Sequence, residues 1–180
     1  LKKIHENIEK NFIKPNMNGI YINSLSLGKS KSEVEPIFAF VEGKSEYPSF
    51  FELNYITWYQ LKNTGLTIFG KNSNELNFKV NWKDLICEMH ENLNDYWHKW
   101  NLKIKNKDKI SNEELEWSVL GVSRQYYTFI FDEIVSKSEA GEKLLKILPD
   151  KFKKIVEEAI GIRQGNIKKL YEFEIERRID

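Results

Sequence analysis

The stretch from Ser111 to Ile134, SNEELEWSVLGVSRQYYTFIFDEI, decides how this chain is read. Its apolar residues recur at helical spacing, about 100° apart per residue. Leu115, Val119, Val122, Tyr126, Phe129 and Ile130 share one broad stripe, which predicts a core-facing side. Glu114, Trp117, Gly121, Arg124 and Thr128 gather on another face. That second face lines up a carboxylate, an indole, a gap and a guanidinium. Two readings fit it. One is a buried salt-bridge rung under an aromatic lid. The other is a ligand wall, with an acid for cationic amines, Trp for stacking and Arg for phosphate.

The next residues bear on that choice. Ser136-Lys137-Ser138-Glu139 has the spacing of a capping box, with Ser136 at the N-cap and Glu139 reaching back to it. Lys137 then falls in the first helical turn, where the dipole disfavours a cation by a few tenths of a kcal/mol. A helix start already attracts anions through its exposed N–H groups, and a lysine there strengthens the attraction. Arg124 and Lys137, brought together across a tight turn, would clamp a triphosphate; a plain surface lysine is the other reading.

Upstream, Ile4, Ile8 and Phe12 predict a short helix over residues 1–13, ended by Pro15. Residues 19–27 alternate as a strand does, and residues 36–41 form a second short apolar run, closed by Gly43 and Pro48. Residues 52–62 read as a helix stopped at Gly65. A long helix is expected from Asn81 to about Lys103, then helices over 138–147 and 150–162 separated by Pro149, and a last one from Gly165 to about Arg178. The five lysines from Lys99 to Lys109 read as a solvated helix end and loop. The fold expected is mainly α: a C-terminal helical bundle of about five helices over residues 79–180, preceded by a small α+β part over residues 1–78.

With 180 residues, 41% hydrophobic and 31% charged, the chain can bury a core and stay dissolved. A net charge of +1 gives no general pull toward nucleic acid. No apolar run approaches the roughly 18 residues of a membrane span. One cysteine, Cys87, forms no internal disulfide, which fits a reducing cytoplasm. The Gly-Lys-Ser triplets at 28–30 and 43–45 lack the glycine five residues earlier that a phosphate-cradling loop needs; Asn23 and Phe38 stand there. His5, His90 and His98 are too scattered for a zinc site.

The runs from Glu116 to Thr128 and from Ile134 to Glu142, followed by Leu148-Pro149, resemble the C-terminal helical domain of aminoglycoside adenylyltransferases of the streptomycin/spectinomycin type. Upstream, Gly19-Ile20-Tyr21 and the run from Glu52 to Trp58, with Gly65 and Gly70, fit a broader bacterial group carrying that domain. The likeness is strongest from Glu113 to Pro149 and weak after Gly165. It implies nucleotide phosphate contacts for Arg124 and Lys137. It implies acceptor contacts for Glu114, ten residues before that arginine, and for an aromatic on the preceding helix, Trp97 or Trp100; Trp117 joins them from its place on the Glu114 face. It further implies ATP and magnesium as cofactors, a nucleotide and an amine-rich small molecule as partners, a monomer, and transfer of AMP from ATP to a hydroxyl of an aminoglycoside-like acceptor.

Two departures qualify that implication. Family members begin with a nucleotidyltransferase domain whose Gly-Ser loop and paired aspartates hold magnesium, and this sequence has neither Gly-Ser nor Asp-x-Asp. The expectation is therefore the strand remnant and helical lobe of such an enzyme, inactive alone. The family also carries an acidic base on the following strand, where Asn18 is the nearest candidate. An amide cannot accept that proton. A non-catalytic module binding nucleotide or small cations, and a purely structural helical domain, are the alternatives.

Overall fold

The computed structural model describes residues 18–107 and 109–166, together with Lys3 and His5. The helix expected over residues 1–13 lies outside them apart from those two helical residues, and the one expected after Gly165 lies outside them beyond Asn166. The chain divides into two compact units, Leu1–Glu88 and Met89–Asp180. Among the described residues it is mainly helical, with one small antiparallel sheet.

In the first unit the sheet order is β1 (Gly19–Tyr21), β2 (Ile37–Val41), β3 (Lys44–Ser49). The third strand corrects the sequence reading, which stopped at Gly43. Glu42 and Gly43 both take positive φ, 52° and 74°, and Val41 pairs with Lys44 across them. That is the geometry of a two-residue hairpin loop, in which the first position is usually Asn or Asp rather than Glu. Pro48 is tolerated because β3 is an edge strand. The strand expected over residues 19–27 ends at Tyr21 instead. Asn23 there accepts the Leu25 N–H at 2.9 Å and starts a single 3₁₀ turn, Ser24–Ser26.

Helix α1 (Tyr55–Thr64) begins at Asn54, whose side chain accepts the Thr57 N–H at 2.8 Å. It buries Trp58 against Ile37, Leu53 and Phe78, and the Trp58 indole N–H donates to the Lys29 carbonyl at 2.7 Å. Gly28, at φ 80°, makes the turn before it. The Gly-Lys-Ser triplets are thus a loop corner and a hairpin turn.

The long helix expected from Asn81 is α2 (Trp82–Asn92), a wide π turn (Leu93–Trp97), and α3 (His98–Lys105). A π turn takes one residue more per turn and so re-aims the side chains of α3 relative to those of α2. The basic stretch is a solvated helix end and loop, as expected: Lys99, Lys103, Lys105 and Lys109 are exposed, and Lys107, paired with Glu114, is half-buried.

Helix α4 (Asn112–Phe131) is the spine of the second unit, with α5 (Lys137–Leu144) and α6 (Asp150–Arg163) packed on it. Leu115 and Leu120 join Ile110, Ile155, Val156, Ala159 and Ile160 in one core; Tyr127 joins Val135, Ala140 and Leu144 in another. The stripe read from the sequence is therefore off in phase. Leu120, Ser123, Tyr127 and Thr128 are buried, whereas Val122, Tyr126 and Ile130 are exposed. Burial follows where α5 and α6 pack, and apolar periodicity on a helix apolar over most of its circumference leaves that direction open. At the far end the Tyr127 hydroxyl donates to Glu133 at 2.7 Å and accepts from Lys143 at 3.1 Å, tying α5 to α4.

Leu120 is fully buried in the α4 core. Leu120→Ala should cost about 3 kcal/mol of unfolding free energy, read as a lowered midpoint in urea. A loss under about 1 kcal/mol, the range of solvent-facing sites, would contradict this placement.

Candidate functional site

The N-terminus of α4 uses its own first turn. Ser111 Oγ accepts the Glu114 N–H at 3.1 Å, and Glu114 Oε2 accepts the Ser111 N–H at 3.1 Å, which completes a capping box. The other Glu114 oxygen is held by Lys107 Nζ. These contacts hold the Glu114 carboxyl below the usual range, the Lys107 hydrogen bond first and the Ser111 N–H second. Glu114 therefore already has two partners where the sequence reading placed a contact to an incoming amine. At α5 only the Ser136 half of the expected box is formed among the described residues. Ser136 Oγ accepts the Glu139 N–H at 3.2 Å, while the Glu139 carboxylate turns to Lys143 Nζ at 2.9 Å.

Further along α4, Trp117 is the centre of an aromatic cluster. Trp97 lies 4.7 Å from it, Trp100 4.9 Å and Tyr96 5.7 Å, centroid to centroid. The gap at Gly121 is where Trp97 sits: a Cβ there would stand 2.8 Å from the outer carbons of that indole. All three tryptophans named from the sequence thus meet at one place. The indole N–H groups of Trp97 and Trp100 are buried, with no hydrogen-bond acceptor among the described residues.

Lys137 Nζ lies 6.0 Å from the Trp117 ring, over its face. Burial lowers the Lys137 pKa below the ordinary lysine value. Glu116 opposes that, and Arg124 and then Arg163 add to it. Those contributions mean that two guanidiniums act on one half-buried ammonium. Arg124 and Lys137, the pair proposed from the sequence, are brought together. Arg163, in the last turn of α6, is a residue that sequence reasoning missed, as is Glu116, whose carboxylate accepts from Arg163 Nη1 at 2.7 Å. Nothing in the spacing of either residue marks it, because the contact joins the first half of α4 to the end of α6.

Residues 92–176 match the family model described as aminoglycoside adenylyltransferase, C-terminal domain. That segment belongs to this family. No curated protein and no solved structure matches the chain. The aromatic cluster, Arg124, Lys137 and Arg163 all fall inside the adenylyltransferase C-terminal domain.

Asn18 lies in the other unit, at the start of β1. Its side-chain oxygen accepts the Glu42 N–H at 2.7 Å and so fastens the hairpin turn. Among the described residues no group of three His, Cys, Asp or Glu side chains comes together to hold a metal ion, so these residues do not fit the magnesium that the resemblance implies. No helix among them is long and apolar enough to cross a membrane.

Glu114 gives a pH-dependent prediction. Its folded pKa lies below its unfolded one, so the unfolded chain binds more protons as the carboxyl titrates. The stability it contributes is complete above the ordinary carboxylate range and is lost as pH falls through the folded value. Glu114→Gln should therefore lower stability at neutral pH and flatten the acid limb of the stability curve between about pH 5 and pH 3. Parallel wild-type and variant curves in urea titrations across that range would contradict it.

Proposed function

We propose that the chain is the helical part of an ATP-using nucleotidyltransferase, and that Arg124 and Lys137 hold the nucleotide phosphates. The observation that carries this is the place of Lys137: half-buried in the first turn of α5, over the Trp117 ring, with Arg124, Arg163 and Glu116 all near enough to act on its charge. Like charges so placed repel, and a polyanion relieves the repulsion with charge-assisted hydrogen bonds. The first turn of α5, with Ser136 as its cap, adds N–H groups and the positive end of the dipole.

In the reaction proposed, an acceptor hydroxyl oxygen forms a bond to the α-phosphorus of ATP. The bond from that phosphorus to the bridging oxygen breaks, and pyrophosphate leaves. The cations' part is to hold the phosphates and to neutralise charge that builds on the departing pyrophosphate. The hydroxyl proton needs a base, and the amide of Asn18 cannot be one. Base and metal ligands would come from residues other than those described. The family supports an aminoglycoside-like bearer of the hydroxyl, and the Trp97–Trp100–Trp117 cluster supports a bearer with a flat face.

A second reading is nucleotide binding without transfer. The sequence has no Asp-x-Asp pair, and that favours this reading for the chain taken alone.

Isothermal titration of the chain with ATP and magnesium tests the shared part of both readings. Wild type should bind, and Arg124→Ala and Lys137→Ala should each weaken binding about tenfold, the loss of one charge-assisted contact. Absence of binding by wild type, or wild-type affinity in both variants, would overturn the assignment. Release of pyrophosphate in the presence of acceptor then separates transfer from binding alone.

A further inference from the structure

Helix α4 has a second lined face. A cleft of about 720 Å³ lies within the second unit, between the helical turns that carry Trp97, Trp100 and Ile104 and the α4 residues Val119, Val122 and Tyr126. At about 100° per residue Val119 stands roughly 160° around α4 from Trp117. The cleft therefore opens away from the cation wall, and neither Arg124 nor Lys137 lines it.

Its chemistry differs from that wall. Asn94, His98, Asn101 and Lys105 all line it and are exposed; they recur at helical spacing, so they form one polar strip along the π turn and α3. Opposite them the surface is apolar, and Val122 and Tyr126 remain 38% and 46% exposed. Apolar walls with a few polar groups on one side are the usual make-up of a small-molecule site, and the volume falls within the usual range. No Asp or Glu is among the described lining residues, and Lys105 is the one lysine or arginine there. A polyamine entering such a site would lose water without gaining a carboxylate partner, and would meet Lys105. An anion with a flat apolar body meets complementary groups at both ends.

We infer that this cleft binds a flat aromatic molecule bearing a carboxylate, with its ring against Trp97, Trp100 and Val122 and its carboxylate on the strip that ends at Lys105. This site shares Trp97 and Trp100 with the acceptor reading, but it uses neither Arg124 nor Lys137 and does not depend on the nucleotide assignment.

Three probes of one shape and different charge test it: 2-naphthoate, 2-naphthalenemethanol and 2-naphthylmethylammonium, each titrated calorimetrically into the whole chain. Naphthoate should bind about tenfold or more tighter than the ammonium, with the alcohol between them. Lys105→Met, at an exposed position, should bring naphthoate to within about threefold of the alcohol, since only the charge contact is removed. Val122→Asp should weaken naphthoate about tenfold or more by placing a like charge in the cleft. Excess ATP should leave naphthoate affinity unchanged. Failure of naphthoate to bind, an ammonium that binds as tightly, an unaltered order in Lys105→Met, or displacement by ATP would each overturn the inference. Should Val122→Asp not fold, Lys105→Met and the ATP competition decide it. Loss of the nucleotide reading would show as absent ATP binding and would leave the naphthoate titrations standing.

Discussion

Much of the second unit depends on Gly121 having no side chain. The outer edge of the Trp97 indole fills the space where a Cβ would be, with its carbons 2.8 Å from that position. Any other residue would push the indole away from its place against α4. Trp97 is also the closest ring to Trp117, so the approach at Gly121 fixes where the aromatic cluster forms. The same helical turns supply one side of the cleft on the other face of α4. One missing methyl group thus positions walls on both faces of a helix. π turns are rare and recur at functional positions, and this one brings Trp97 to that contact.

A charged Lys137 carries a cost where it sits. Burial already disfavours a charged Lys137, and two arginines disfavour it further. Glu116 offsets part of this, yet its carboxylate is also engaged by Arg163. Glu114, by contrast, is compensated at both oxygens by Lys107 and its own cap, which makes it a fixture of the helix start.

The sequence made α4 itself legible, along with the gap at Gly121, the alignment of Trp117 with Arg124, and the place of Lys137 at the next helix start. These are local features, readable from spacing. Which side of α4 faces inward was not legible, because that depends on where α5 and α6 pack. Val122, Tyr126 and Ile130 therefore proved exposed where a core was expected. Arg163 was hidden for the same reason, being distant in the chain and adjacent only after α6 folds back on α4. The hairpin at Glu42-Gly43 was missed because glutamate is an uncommon residue at positive φ. Ser111 and Glu114 carry the capping-box signature as clearly as Ser136 and Glu139 do. Only the first pair closes, since Lys143 competes for Glu139.

The titration of Lys137 tests the central claim most directly. With lysine side chains isotopically labelled and Lys137 assigned by substitution, its midpoint should lie below those of exposed lysines. It should rise in Arg163→Gln, where one repelling charge is removed and Glu116 is released. A Lys137 that titrates with the exposed lysines and ignores Arg163 would mean that the cations do not converge, and the phosphate assignment would fall with them.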